Sequence, residues 1–166
     1  MAYLLAFPVI IILTMAQIGI VSQLHLLRGT GDLVMIAMVA WALHERGASS
    51  WAWAAVAGLL ISFVSATPML APLAGYFLLT LIVHILRRHV WQTPLLAMVL
   101  ATMLGTIVIQ FIYIIVLKIN GTPLPWQDSL SLVILPSVLL NLILLLPVYV
   151  VMTDLAHLVY PLQEEV

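Results

Sequence analysis

The sequence predicts an all-α integral membrane protein with about six transmembrane helices joined by short connections. Of its 166 residues, 65% are apolar and only 7% are charged, and the mean hydropathy is +1.27. A soluble domain of this length exposes much of its surface to water and could not hide so many apolar side chains. The solvent must therefore be lipid over most of the chain, where helices satisfy their own backbone hydrogen bonds.

Composition also excludes several classes of protein. The chain has no cysteine, which excludes disulfides and thiolate metal sites, and its net charge of −1 gives no indication of nucleic-acid binding. Outside the predicted helices there are only loops and a terminal stretch, Leu155–Val166. We therefore expect residues 1–166 to form a single polytopic membrane domain.

The first three predicted helices are separated by charged and glycine-containing turns. Tyr3–Gln23 is expected to be a retained spanning helix rather than a signal peptide, because it lacks an early basic residue and is too long for an h-region. The second helix is predicted over Asp32–Leu43, with Asp32 placed to cap its N-terminus. The third is predicted over Trp51–Ala66, after a charged turn.

Prolines and glycines delimit the last three predicted helices. Thr67-Pro68 precedes the fourth, Leu70–Leu86. The fifth, Pro94–Lys118, begins with a proline at the first helical position and stops before an Asn-Gly pair. The sixth, Leu130–Thr153, follows a proline-containing loop.

The second and third predicted helices are too short for ordinary spans. Crossing roughly 30 Å of hydrocarbon takes about 20 residues, whereas the second segment offers only about a dozen. Both helices either cross a thinned or protein-covered region or form a re-entrant hairpin, and either arrangement leaves the two termini on the same side. Arg87-Arg88, directly after the fourth helix, favours a cytoplasmic position for both termini.

The sequence predicts neither an enzyme nor a cofactor site. His84 and His89 are five residues apart and lie on different helix faces, and His44-Glu45 lacks the second histidine of a zinc protease helix. Intramembrane aspartyl chemistry needs two acids at depth, and the aspartates all lie near predicted helix ends: Asp32, Asp128 and Asp154. We expect no catalytic, cofactor or metal residues.

The fifth helix carries a candidate interface. Ala97, Ala101 and Gly105 repeat at i, i+4 and i+8, a small-residue stripe that lets another helix approach closely. On another face, Gln110 falls near mid-membrane and needs a hydrogen-bond partner. Packing inside the chain is favoured, and contact with a helix of another protein is the alternative.

The sixth helix carries a second polar pair. Ser137 and Asn141 are four residues apart and share a helix face, with prolines nearby at 136 and 147. Because an amide at lipid depth is unfavourable unless it is paired, Asn141 is expected to face protein. Internal hydrogen bonding is favoured, and a substrate-binding amide is the alternative.

Three passages, in order, resemble those of a known family. Gly31-Asp32-Leu33-Val34 opens the second helix, and Ser65-Ala66-Thr67-Pro68-Met69 ends the third. The last helix carries the most specific passage: Leu135-Pro136-Ser137, Leu139-Leu140-Asn141 and Pro147-Val148-Tyr149. Over Leu4–Leu158, the order of these passages resembles that of MreD, the small membrane protein of the bacterial rod-shape system, or elongasome.

The chain departs from that family at three positions. Gly31 replaces the usual proline before Asp32, and Ser62 stands where the family often has an aspartate. Leu70 stands where a glycine is common after the Thr-Pro turn. Any intramembrane role of the family's aspartate is therefore filled differently here or is absent.

The resemblance implies a non-enzymatic scaffold in the bacterial cytoplasmic (inner) membrane. Its partner would be MreC, the single-span scaffold of the elongation complex, and through MreC it would be linked to RodA, the elongation-specific transpeptidase and MreB. The family resembles the S components of energy-coupling-factor vitamin transporters in size and helix layout, so an S-component-like bundle is expected. The partner-facing surface is expected on the Ala97, Ala101, Gly105 stripe or on the short second and third helices.

A vitamin-binding S component is the alternative function. Ala2 and Ala6 give the small-residue spacing with which such proteins dock on their transport module. A vitamin pocket needs several convergent polar groups, and the outer loops offer few: Arg28, Asp32, Asn120, Gln127 and Asp128. The scaffold is therefore favoured, and homodimerisation through surplus glycine and alanine faces stays a hypothesis.

Overall fold

The computed structural model describes residues 2–23, 27–44, 49–65, 67–89, 93–122, 125, 127 and 129–159. Over these residues the fold is all-α, as the composition predicts. The helices are α1 (Ala2–Gly19), α2 (Leu33–His44), α3 (Ser49–Val64), α4 (Leu70–His89), α5 (Pro94–Ile119) and α6 (Leu135–Val159). A 3-10 turn, Val21–Gln23, follows α1, and a π-helical segment, Ser129–Ile134, leads into α6.

Four segments of the described chain are long and apolar enough to cross a membrane. They are Leu4–Gln23, Leu70–Arg88, Pro94–Ile119 and Ser129–Val159. The other two helices, α2 with 12 residues and α3 with 16, are shorter apolar helices. The prediction of an all-α membrane protein with a short second and third helix is thus confirmed.

The short α2 is the central helix of the bundle. Every residue from Leu33 to Ala42 is buried, and α2 packs against α1, α3, α4, α5 and α6. A helix that is apolar all round is stable where protein or lipid surrounds it on every side. Of the arrangements considered for a helix too short to span the membrane alone, the structure therefore places α2 in the one where protein covers it.

In contrast, α3 lies at the edge of the bundle. It packs mainly on α4 and α1, and less on α2, through a face that includes the buried Trp53, Ala57 and Ile61. The opposite face is apolar and exposed at Leu59 and Phe63. Hence α3 has an outward-facing surface, whereas α2 has none.

Most predicted helix boundaries agree with the structure to within a few residues, and the end of the last helix differs most. In the best-defined case, α5 begins at Pro94 and stops before Gly121, whose φ of +84° lies in the left-handed region that favours glycine. The predicted end of the last helix at Thr153 is wrong, because α6 continues to Val159. Asp154 is exposed, so it does not interrupt the helix, and the next turn still buries Ala156.

Candidate functional site

The segment before α2 runs against the flank of α6. A Cβ atom on Gly29 would lie 2.6 Å from the Ser137 backbone nitrogen and 2.7 Å from the Pro136 carbonyl carbon. A Cβ atom on Gly31 would lie 2.6 Å from Leu140 Cδ2. Two glycines therefore let this backbone approach α6 more closely than any side chain would permit.

Asp32 caps the buried N-terminus of α2, as the sequence predicts. Its Oδ1 accepts a hydrogen bond from the Met35 backbone N–H at 2.8 Å. The hydroxyl of the fully buried Tyr76 in α4 donates to both carboxylate oxygens, at 3.2 Å each. From α1, Gln17 Oε1 accepts from the Val34 N–H at 3.3 Å. The Asp32 N–H itself donates to Asn141, so side chains satisfy three of the four N–H groups that a helix start leaves unpaired.

Asn141 joins three parts of the bundle. Its Oδ1 accepts a hydrogen bond from the Asp32 backbone N–H at 2.7 Å, and its Nδ2 donates to Thr106 Oγ1 in α5 at 2.9 Å. Thr106 in turn donates to the Thr102 carbonyl at 2.7 Å. The Asn141 amide, 1% exposed, therefore faces protein as expected and holds α6 to α5 and to the start of α2.

Ser137 and Gln110 extend the same network by one turn. Ser137 Oγ accepts a hydrogen bond from the Thr30 backbone N–H at 2.9 Å. Gln110 Nε2 donates to Ser137 Oγ and Thr30 Oγ1, at 3.3 Å each. Three of the predicted interface residues, Gln110, Ser137 and Asn141, thus meet in one network around the start of α2, which we call the α2 network.

Two members of the α2 network were not singled out from the sequence. Gln17 and Tyr76 are polar side chains within apolar stretches of α1 and α4, and that contrast is the signal that could have indicated them. The chemistry of the network is mutual hydrogen bonding. Within the described residues, no group of three His, Cys, Asp or Glu side chains is placed to hold a metal ion.

Comparisons with protein-family models, curated proteins and solved structures found no match to this chain. Any functional interpretation therefore depends on the residues themselves.

The small-residue stripe of α5 lies inside the bundle. Ala97, Ala101 and Gly105 are all buried. A Cβ atom on Gly105 would collide with Leu79 Cδ1 of α4 and would lie 3.5 Å from the Met35 sulfur of α2. The stripe therefore packs within this chain and is covered by α4 and α2.

Replacing Gly105 with leucine is expected to destabilise the protein itself. The added side chain has no room beside Leu79, and overpacking of this kind costs typically 1–3 kcal/mol. Thermal unfolding in detergent should report a lower Tm for Gly105→Leu than for Leu104→Ala, a neighbouring change on the exposed side of α5 that keeps a good helix former and creates no clash. An unchanged Tm for Gly105→Leu would mean that the stripe does not pack on α4.

The opposite end of α2 has its own polar contacts. His44 Nδ1 lies 2.9 Å from the Ala40 carbonyl, and His44 Nε2 lies 3.4 Å from Thr153 Oγ1 of α6. Arg87 of α4 donates through Nη1 to the Ala42 carbonyl at 3.4 Å. A cation beside the last carbonyls of a helix complements its dipole. Both ends of α2 are therefore held by side chains of the surrounding helices.

Proposed function

We propose that this chain is a non-enzymatic membrane scaffold of the bacterial rod complex, which binds MreC and helps to regulate peptidoglycan synthesis and cell shape. One observation carries the proposal. Two of the passages that resemble MreD are joined by a hydrogen bond from the Asp32 N–H to Asn141, and Thr30, directly before the first passage, donates its N–H to Ser137 in the last. The resemblance therefore involves residues that build the centre of the fold, as expected if it reflects a shared architecture.

The α2 network also favours a scaffold over the alternative, an S component of a vitamin transporter. A ligand pocket needs polar groups that converge on a cavity and keep free donors or acceptors. Here the polar groups hydrogen-bond within the protein: the Asp32 N–H donates to Asn141, and Gln110 donates to Ser137. These groups act as internal connections and are poorly suited to binding a vitamin.

The proposed location is the bacterial inner membrane, with both termini in the cytoplasm. Four apolar segments of spanning length support a membrane location. The cytoplasmic orientation is supported by Arg87-Arg88 at the end of α4, following the excess of basic residues on the cytoplasmic side of membrane proteins.

The exposed face of α3 is the proposed contact for the spanning helix of MreC. Of the surfaces considered from the sequence, the α5 stripe is buried by α4 and α2, and α2 is enclosed. Of these three surfaces, the one on α3 faces outward, at Leu59, Phe63 and Val64, which are 39%, 80% and 54% exposed. A spanning helix of a partner could pack there.

The proposal is tested by purifying the tagged protein from its native membrane in mild detergent and identifying what comes with it. We expect MreC in near-equal amount, accompanied by RodA and its transpeptidase. The double variant Leu59→Ala/Phe63→Ala should reduce the recovery of MreC about fivefold or more, as loss of two contact side chains predicts. Leu4→Ala/Phe7→Ala on the exposed face of α1 is the matched control.

Two results would contradict this function. Recovery without MreC from membranes that contain it would exclude the scaffold. Recovery of a transmembrane coupling protein with two ATPases would establish the S component instead.

Light scattering of the purified protein in the same detergent would decide between monomer and homodimer.

A further inference from the structure

A continuous stripe on the exposed side of α4 runs from apolar to cationic. Phe77, Leu81, His84 and Arg88 follow one another at i, i+4, i+7 and i+11, a spacing that places them on one helix face. Phe77 and Leu81 are 39% and 44% exposed, and Arg88 lies in the last turn of the helix. The stripe is thus apolar at Phe77 and Leu81 and carries a cation at Arg88, two helical turns beyond Leu81.

An exposed tryptophan borders this stripe. Trp51 of α3 is 38% exposed. Its ring stacks with those of Phe77 and His84, with centroid distances of 6.1 and 5.6 Å. Tryptophan is enriched at the level of lipid headgroups, where one part of the ring is apolar and the other is wet. Trp51 therefore marks the transition from acyl chain to headgroup.

The charged end of the stripe carries two arginines in the last turn of α4, Arg87 and Arg88. Within the described residues, the structure gives Arg88 no ion-pair partner and gives Arg87 only the Ala42 carbonyl. Each guanidinium has five N–H donors, and among the described residues this contact accounts for one of them. In addition, α3 begins at Ser49 on the same side of the bundle, and the N-terminus of a helix adds positive potential.

We propose that this surface binds an anionic phospholipid. Its residues are Trp51, Phe77, Leu81, His84, Arg87 and Arg88, which we call the α3–α4 lipid site. The phosphodiester of the headgroup accepts hydrogen bonds from Arg87 and Arg88, and an acyl chain lies along Phe77 and Leu81. Charge complementarity selects an anionic over a zwitterionic headgroup. This inference depends on the membrane location and is independent of the rod-complex proposal.

The test is native mass spectrometry of the delipidated, detergent-solubilised protein with two lipids of identical acyl chains, phosphatidylglycerol and phosphatidylcholine. We expect phosphatidylglycerol to bind about tenfold more tightly, as one or two basic side chains near a headgroup predict. Arg88→Gln should reduce this preference at least threefold, and Arg87→Gln/Arg88→Gln should abolish it. Arg88→Lys keeps the charge and should retain most of it.

Arg28→Gln is the matched control, because Arg28 is an exposed arginine in the segment before α2, at the opposite end of that helix. It should leave the preference unchanged. Equal binding of the two lipids, an undiminished preference in Arg88→Gln, or equal losses in Arg88→Gln and Arg28→Gln would each overturn the site. Displacement of the lipid by millimolar inorganic phosphate would also overturn it, since free phosphate would then be the ligand. Arg88 is exposed, so its variant tests the site even if Arg87→Gln impairs folding.

Discussion

Gly29→Ala is expected to destabilise this protein strongly. The added Cβ would lie 2.6 Å from the Ser137 backbone nitrogen and 2.7 Å from the Pro136 carbonyl carbon. Backbone atoms of a helix cannot move aside as the end of a side chain can, so the whole segment must withdraw from α6. That withdrawal would also stretch the hydrogen bonds from Thr30 to Ser137 and from Asp32 to Asn141. We expect a loss of about 2–3 kcal/mol and a fall in Tm of about 5 °C or more.

Gly19→Ala provides the matched control for this experiment. A Cβ atom on Gly19 has nothing within 4 Å, and α1 ends at this residue. The same chemical change should therefore leave the Tm within about 2 °C of the original value, because surface substitutions away from special features change stability little. Scanning fluorimetry in one detergent would compare the two variants. A Gly29→Ala protein as stable as Gly19→Ala would mean that the segment does not lie against α6.

Asn141→Ala is expected to have the second large effect. The change leaves the Asp32 N–H without its acceptor and removes a donor from Thr106. It also opens a small cavity at a site that is 1% exposed. An unsatisfied buried polar group costs about 1–3 kcal/mol, so a total loss of about 2–4 kcal/mol is expected.

The control for this substitution is Asn120→Ala. Asn120 is exposed, and among the described residues its side-chain amide donates only to the Val116 carbonyl one turn back. It should cost well under about 1 kcal/mol, the usual net value of an exposed hydrogen bond. Amide hydrogen exchange adds a local measurement: in Asn141→Ala, protection should fall first at Asp32 and in the first turn of α2. Unchanged protection there would show that Asn141 does not hold the start of α2.

Local signals predicted the helices well because the physical cause of each boundary lies within a few residues. Pro94 and Gly121 delimit α5 through the φ angles they favour. Asp32 caps α2 because its side chain reaches an N–H three residues ahead. The wrong end of α6 has the opposite cause, since an exposed polar residue such as Asp154 is tolerated within a helix.

The centre of the structure could not be predicted in the same way. Asp32 and Asn141 are 109 residues apart, and no local pattern says which acceptor a backbone N–H will meet. The polarity of Asn141 and Gln110 indicated that each needs a partner, but its identity depends on how six helices are arranged. Likewise, the α5 stripe indicated close helix packing, while only the structure shows that α4 and α2 cover it.

The enclosure of α2 has a consequence for the order of membrane insertion. Four of the five helices that surround it, α3, α4, α5 and α6, are synthesised after it. The acceptors for the Thr30 and Asp32 N–H groups come 107 and 109 residues later. At translation rates of about 5–20 residues per second, this delay lasts roughly 5 to 20 s. During that time α2 is a short helix without its final neighbours, and it needs the insertion machinery or α1 and α3 to shelter it. The arrival of the sixth helix, which supplies Ser137 and Asn141, therefore completes the enclosure of α2.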